Sequence, residues 1–335
     1  MASNEKQILL ATLPPSRGQI RLALGLILVL LVVFVVTIPF AKIQLPNFPI
    51  FIPVLQTAIL ISDLTTSALL FAQFTVVRNR ALLVLASGYL FTGLMVIPHA
   101  LSFPGAFTPT GLLGSTVNTT VWLYIFWHLG SPLSVIVYAL LKDEDREPGV
   151  LQRSPITVGA WCVAVVIAIV CGLTWLVTAE EWILPKIFVD NVRVDQFLSP
   201  LFGGLIMSVN AAAIALLWLR RRSVLDLWLT VMCCTWLIEA TIAAALVDSR
   251  FTLGWYAGRV YALVGTLFVL FVLLSKTTIL YANLAQSAMR WRSNREGRQV
   301  AMDAMAASIA HEVNQPITAM TFNSDAGLEF LPRTR

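Results

Sequence analysis

Eight apolar runs, each long enough to cross a lipid bilayer, constrain the fold of this chain more than any other feature. A spanning helix needs roughly 20 apolar residues to cross about 30 Å of hydrocarbon. The runs cover residues 20–41, 51–77, 81–102, 119–141, 156–178, 199–219, 224–247 and 254–276. The sequence therefore predicts an all-α fold, a polytopic membrane bundle of about eight transmembrane helices.

The composition agrees with a chain that lies mostly in lipid. Of its 335 residues, 58% are hydrophobic and 12% are charged, whereas soluble domains carry about 25% charged residues. The first apolar run is too long for a secretory signal peptide and lacks a small-residue cleavage site, so we expect it to remain as a span. The four cysteines lie inside apolar runs without the spacing of a metal or redox motif, which predicts no disulfide framework and no metal site.

The basic residues are divided unevenly between the two sides of the membrane. Before the polar tail, eleven Lys and Arg residues fall on the side of the N-terminus, and four fall on the other side: Lys42, Lys186, Arg193 and Arg250. Because Lys and Arg in short loops prefer the cytoplasm, we expect both termini there, in a multi-pass protein of a bacterial inner membrane. The net charge of +5 sits in clusters at the ends of apolar runs, so nucleic-acid binding is not expected.

Five ionisable residues interrupt the apolar runs. Charged groups are costly in hydrocarbon and usually face a bundle interior, so these residues are candidates for intramembrane sensing. They are Asp63, His99, His128, Glu239 and Arg259. One interpretation is that they line a single polar pocket, with Asp63 nearest the middle of the membrane. The alternative is that Asp63 or Glu239 pairs with Arg259 only to tie helices together.

A haem or metal shared by His99 and His128 is not expected. At 1.5 Å per residue, the two histidines lie about 4 Å and about 13 Å from the same edge of the membrane. The loops between spans are also too short for a separate ligand-binding domain. The stimulus is therefore expected to be read within the membrane or next to it.

The polar tail after the last span contains an amphipathic segment. Polarity rises from Tyr281, Gly297 is expected to interrupt the helix, and an apolar stripe about 120° wide follows. The stripe is formed by Met302, Met305, Ile309, Val313, Ile317 and Met320. His311 lies on the opposite side, with Gln315 and Thr318, so the pattern predicts a helix that buries the stripe and presents its only histidine to water.

This position suits a histidine that accepts a phosphoryl group. A neutral imidazole is nucleophilic at physiological pH, and an exposed ring nitrogen can attack a γ-phosphoryl group in line. Glu312 is placed to hydrogen-bond the imidazole or to accept its proton. Pro316 lacks an N–H group, so we expect the helix to bend there.

The run SIAHEVNQPITAM resembles the H-box of HisKA-type sensor histidine kinases, and NSDAGLEFL continues the resemblance. It implies that His311 is autophosphorylated and that Glu312 is its acid/base neighbour. Gln315 stands where many members place Thr or Asn to orient a water, so phosphatase activity is not implied. The resemblance further implies a homodimer through the tail helix and a response regulator as the partner that receives the phosphoryl group.

The membrane part resembles the fourth family of membrane-associated sensor (MASE-type) domains. The resemblance lies in GYLFTGLMVIPHALSFPGAF, WLYIFWHLGSPLSVIVYALL and LGWYAGRVYAL and covers roughly residues 15–285. The expected organisation is a cytoplasmic segment (1–19), a sensor domain with eight spans (20–276), a signalling linker helix (277–299) and the incomplete first helix of a dimerisation and phosphoacceptor domain (300–335).

The tail contains no Gly-rich phosphate-binding loop. We therefore expect no cofactor in this chain, and ATP with Mg only from an ATP-binding domain supplied elsewhere, so that the chain is not a self-sufficient histidine protein kinase. Two other functions remain open. One is a non-catalytic, truncated regulator that dimerises with full-length kinases through the apolar stripe. The other is a multispan transporter or channel, because intramembrane carboxylates also suit ion passage.

Overall fold

The fold, taken from a computed structural model, consists of eight long α-helices. The structure describes residues 14–113, 116–142, 154–179, 183–187, 198–221, 223–247 and 249–329. The helices are α1 (Arg17–Thr37), α2 (Phe51–Val77), α3 (Arg80–Ser102), α4 (Val117–Leu141), α5 (Pro155–Ala179), α6 (Leu198–Leu219), α7 (Val224–Thr241) and α8 (Leu253–Glu329). A 3₁₀ turn, Ile38–Phe40, follows α1, and a π-helical turn, Ile242–Leu246, follows α7.

The prediction of an all-α membrane bundle with eight spans is confirmed. Within the described ranges, eight helices are long and apolar enough to cross a membrane, and α2 begins and ends at the predicted residues. Two local predictions differ from the structure. The helix of the seventh span ends at Thr241 and continues as the π turn, and Gly297 does not interrupt α8, which also contains Pro316.

Side chains at the helix ends explain where several helices begin. Ser16 and Gln19 form a capping box on α1, and Ser223 and Asp226 form another on α7. In each, a side-chain oxygen accepts a hydrogen bond from a backbone N–H that has no partner inside the helix. At the other end of α2, Arg78 adopts a left-handed conformation with φ of 55°. That conformation stops α2 and allows α3 to begin two residues later.

The eight spans differ in how much surface they share with their neighbours. Helices α3 and α7 are mostly buried, whereas α1 and α5 expose most of their Leu, Val and Ile side chains, as lipid-facing helices do. Helix α3 packs against α2, α4 and α5, and α7 packs against α6 and α1. Small residues permit close helix approach: Gly88 of α3 lies against Ser134 of α4 with no room for a β-carbon.

The two ends of the membrane bundle are closed by different contacts. At one end, called here the Gln44 end, the loop after α1 pairs with the residues before α8 through an antiparallel bridge between Gln44 and Thr252. At the other, the Lys142 end, the Nζ atom of Lys142 donates to the carbonyl oxygen of Arg220 at 2.6 Å. The C-terminal ends of α4 and α6 therefore meet at the Lys142 end.

The chain divides into two compact units, Met1–Lys276 and Thr277–Arg335. The described part of the second unit is the tail part of α8, whose described side chains are exposed from Thr278 onward. The six residues of the apolar stripe are among them, with 52% to 72% of their surface accessible. The burial of the stripe that the sequence pattern predicts is therefore not seen among the described residues.

Candidate functional site

A buried carboxylate on α7 forms the centre of a polar cluster inside the membrane unit. The Glu239 side chain is 1% exposed. Its Oε1 atom accepts a hydrogen bond from the Tyr124 hydroxyl at 2.9 Å, and its Oε2 atom lies 3.0 Å from Nε2 of His128. Both partners come from α4, one helical turn apart, so Glu239 joins α7 to α4 through two contacts.

The imidazole of His128 is held in a fixed orientation. Its Nδ1 atom lies 2.9 Å from the carbonyl oxygen of Tyr124, and its ring stacks on the Tyr124 ring at 3.8 Å. Because a carbonyl oxygen can only accept, Nδ1 donates this bond and Nε2 points to Glu239. The hydrogen bond at one ring nitrogen thus fixes the direction of the other ring nitrogen, as occurs in many functional histidines.

His99 lies beside this group, on α3. Its Nδ1 atom contacts Nε2 of Gln56, and its ring centroid is 5.8 Å from that of Trp127. The Trp127 ring is also 4.7 Å from the His128 ring. The two histidines, which were expected at different depths, therefore both contact the indole ring of Trp127. Within the described residues, no group of three His, Cys, Asp or Glu side chains is arranged to hold a metal ion.

Arg259 of α8 approaches the cluster without forming an ion pair with either carboxylate. Its guanidinium lies 3.7 Å from the Trp255 ring, and Nη1 donates to the Trp255 carbonyl oxygen at 2.9 Å. It is still close enough to Glu239 for an electrostatic interaction. From the sequence, Arg259 is a candidate partner for a carboxylate that ties helices together. In the structure, the residue that contacts Glu239 across helices is His128, because α4 presents its imidazole directly to the carboxylate.

Asp63 does not belong to the cluster. It lies near the middle of α2, is completely buried, and has no hydrogen-bond partner for either carboxylate oxygen among the described residues. The structure thus brings together four of the five predicted intramembrane residues and leaves the fifth by itself.

Several polar residues of the membrane unit are not apparent from the apolar pattern. Tyr124, Trp127 and Gln56 join Glu239, His128, His99 and Arg259 in a group that is called here the Glu239 cluster. Tyr124 precedes His128 by four residues, a spacing that places both on one helix face, and this spacing was the available signal. At the Lys142 end, the buried Asp226 accepts from the Tyr138 hydroxyl at 2.9 Å and from Lys142 at 2.8 Å.

Two features flank the cluster toward the Gln44 end. A cavity of about 70 Å³ lies between α4, α6 and the π turn, and its lining includes Tyr124, Phe202 and Ala244. Arg250, in the loop before α8, lies over the Phe103 ring at 5.1 Å. Burial, and then the charge of Arg259, lowers the pKa of Arg250 to about 10, so this guanidinium remains charged at neutral pH.

The predicted phosphoacceptor lies in the second unit, where His311, Glu312 and Gln315 are all exposed on α8. The Nε2 atoms of Gln315 and His311 are 3.2 Å apart. The hydrogen-bonding neighbour of the imidazole is thus Gln315, one turn later, and not the adjacent Glu312 considered from the sequence. An amide N–H that donates to Nε2 leaves the ring proton on Nδ1.

Residues 46–281 match the model of a protein family described as a membrane-associated sensor, integral membrane domain, MASE4. The match covers α2 to α7 and the part of α8 that lies in the membrane unit, including every residue of the Glu239 cluster. No curated protein and no solved structure matches the chain.

Proposed function

Since the chain belongs to the MASE4 family of membrane-associated sensor domains, we propose that it is the sensor and phosphoacceptor part of a two-component sensor histidine kinase. The chain is a multi-pass membrane protein with an integral membrane sensor domain. The kinase assignment rests on one observation, the exposed His311–Gln315 pair within a His-Glu-x-x-Gln-Pro motif on α8.

The proposed input is a rearrangement of the Glu239 cluster. The contact between Glu239 and His128 resists separation, because a buried charged group that loses its partner is strongly destabilised. A stimulus that displaces Tyr124 from Glu239, for example a small apolar molecule in the adjoining cavity, would change how α4 packs on α7. The position of Tyr124 in both the cavity wall and the Glu239 contact supports this interpretation.

The proposed output is phosphorylation of His311. The Nε2 lone pair attacks the γ-phosphorus of ATP, a P–N bond forms, and the bond to the leaving oxygen of ADP breaks. Gln315 must first release Nε2, which is feasible for an exposed contact of 3.2 Å. Glu312 then accepts the Nδ1 proton. The phosphoryl group passes to a response regulator, and ATP with Mg comes from an ATP-binding domain that meets the tail helix.

Phosphate transfer tests this proposal directly. The chain in lipid nanodiscs is mixed with γ-labelled ATP and a separately purified histidine-kinase ATP-binding domain. We expect acid-labile label on the chain and its loss in His311→Gln. Asp303→Asn is the matched control, because it changes an exposed side chain of the same helix outside the His311 motif and should leave labelling intact. Label that persists in His311→Gln would overturn the assignment.

A non-catalytic regulator is the second candidate, and the exposed apolar stripe favours it. Six large apolar side chains on one face of a cytoplasmic helix suit association with a second helix. In this case the chain would dimerise, with itself or with a full-length kinase, and carry no phosphate. Cross-linking through a cysteine introduced at Met305, combined with the labelling experiment, separates the two candidates: dimers with label favour the first, and dimers without label favour the second.

We also infer a location in a bacterial inner membrane with both termini in the cytoplasm. The uneven distribution of Lys and Arg supports this orientation. A fluorescent protein fused after Arg335 should fold and emit, whereas alkaline phosphatase inserted near Gly111 should be active in the periplasm. The opposite pattern of activities would reverse the orientation.

A further inference from the structure

The middle of α2 contains a carboxylate, that of Asp63, whose oxygens accept no hydrogen bond within the described ranges. Asp63 is the thirteenth of the 27 residues of α2, which places it about 18 Å from the first residue at 1.5 Å per residue. It is 0% exposed, and both of its oxygens lack a hydrogen bond within the described ranges. A buried group of this kind requires a physical explanation, and an ion that belongs at the site is one.

The hydroxyl groups of the same helix divide into two sets. Four donate to a backbone carbonyl oxygen at 2.7 to 2.8 Å: those of Thr57, Thr65, Ser67 and Thr75. The other two, on Ser62 and Thr66, have no partner, although both side chains are at most 1% exposed. These two hydroxyls are the ones that flank Asp63, one residue before it and three residues after it. Among the hydroxyl groups of α2, the two without partners therefore lie on the turn that contains Asp63, whereas the other unpaired side-chain oxygens of this helix are the amide oxygens of Gln56 and Gln73.

The helix that faces Asp63 supplies no compensating charge. Gly93 of α3 lies opposite, and a β-carbon added there would be 3.3 Å from the β-carbon of Asp63. Next to it, the Thr92 hydroxyl lies close enough to interact with the Asp63 side chain, but it carries no charge and donates to the Tyr89 carbonyl oxygen at 2.9 Å. Among the described residues, no Lys, Arg or His lies within ion-pair distance of Asp63, in contrast to Glu239 and Asp226.

These observations point to an ion that binds through oxygen. An unpaired carboxylate in an apolar interior is strongly unfavourable, and a bound cation removes the penalty. Carboxylate and hydroxyl oxygens are ligands for hard cations. A single carboxylate balances one positive charge, whereas a divalent ion would leave an unpaired charge in the membrane. We propose that Asp63, Ser62 and Thr66 form an intramembrane binding site for a monovalent cation, Na⁺.

The site lies apart from the phosphoacceptor, so it can be tested without any kinase reaction. The full chain in lipid nanodiscs is titrated with NaCl by calorimetry, with choline chloride at constant ionic strength as the reference salt. We expect saturable binding of one Na⁺ per chain. Thermal unfolding provides a second measurement, because a ligand that binds only the folded state raises Tm as its concentration exceeds Kd.

Three variants and one control locate the ion. Asp63→Asn should abolish saturable binding, and Ser62→Ala and Thr66→Val should each weaken it on the order of tenfold. Ser67→Ala is the matched control, because this hydroxyl lies on the same helix, is equally buried and is already bonded to the Ala86 carbonyl oxygen. It should leave the Na⁺ affinity unchanged.

Two results would overturn the proposal. One is no saturable Na⁺ binding by the folded chain, which would mean that Asp63 is neutralised by a proton alone. The other is Na⁺ binding that persists in Asp63→Asn. Neither result depends on whether His311 is phosphorylated, so the cation site and the kinase assignment succeed or fail separately.

Discussion

Two carboxylates lie in the same membrane bundle, and their surroundings differ. Glu239 meets the Tyr124 hydroxyl and the His128 imidazole, and Arg259 is close enough to act on it electrostatically. Asp63 meets no hydrogen-bond donor in the described part of the chain. The first arrangement holds helices together with protein groups alone. The second leaves room for the proposed Na⁺ beside Asp63. This difference predicts that removal of the carboxylate destabilises the protein at Glu239 but not at Asp63 in the absence of Na⁺.

The largest effect should follow removal of the Glu239 carboxylate. Glu239→Ala leaves His128 buried beside an empty position, and breaking a buried pair on one side costs about 3–5 kcal/mol. We expect a corresponding loss in the free energy of unfolding, measured by denaturant titration in bicelles. Glu239→Gln, which keeps an acceptor for Tyr124, should lose less. A loss below about 0.5 kcal/mol for the alanine variant would show that the cluster does not stabilise the bundle.

A smaller loss is expected at the Lys142 end, where Asp226 keeps other partners. Lys142→Met removes the ammonium group, but the Tyr138 hydroxyl and the Ser223 backbone N–H still donate to the carboxylate. Because two of these three donors remain, the free energy of unfolding should fall by about 2 kcal/mol. A comparison with Arg78→Met, an exposed basic residue at the end of α2, controls for the loss of one positive charge.

Removal of the Tyr124 hydroxyl should have a smaller effect again. Tyr124→Phe keeps the ring stacked on His128 and deletes one hydrogen bond to Glu239, which costs about 1 kcal/mol. The same unfolding measurement applies, with Tyr256→Phe as the control, because that hydroxyl bonds an exposed loop at 2.9 Å. Equal losses for Tyr124→Phe and Glu239→Ala would mean that the Tyr124 hydroxyl, and not the contact between Glu239 and His128, holds α4 to α7.

The smallest effect is expected at Asp63. In Na⁺-free buffer, Asp63→Asn removes a group that bonds to no described residue, so the free energy of unfolding should change by less than about 0.5 kcal/mol or should rise. In saturating NaCl the wild-type chain should become the more stable of the two. A large loss in the absence of Na⁺ would reveal a protein partner for Asp63 and would remove the contrast with Glu239.

The spans could be predicted from the sequence because their signal is local. The run 51–77 coincides with α2 because lipid requires a continuous apolar helix, and Arg78 ends it. The contact between Glu239 and His128 could not be predicted, because these two residues are more than a hundred positions apart in the sequence and hydropathy does not encode which helix faces which. The contact between Arg259 and Trp255 has an i, i−4 spacing and was available in principle.

The tail shows a second limit of local patterns. Gly297 was expected to interrupt the helix, yet α8 continues through it. A single glycine in a helix costs only about 1 kcal/mol relative to alanine, and the flanking Arg, Glu and Gln residues favour helix. The apolar stripe can be read from the sequence as a pattern, but its six side chains are exposed in the described structure, so its burial stays a prediction.

The backbone pairing at the Gln44 end determines when this protein can finish assembling. The Gln44 side chain donates to the Arg250 carbonyl oxygen across 206 residues, and the neighbouring Leu45 N–H donates to that of Phe251. During translation, the loop after the first span stays unpaired until Arg250 and Phe251, which precede the last span, have been made. The hydrogen bonds between the loop after α1 and the residues before α8 are therefore among the last contacts to form, and a chain arrested before Arg250 would lack them.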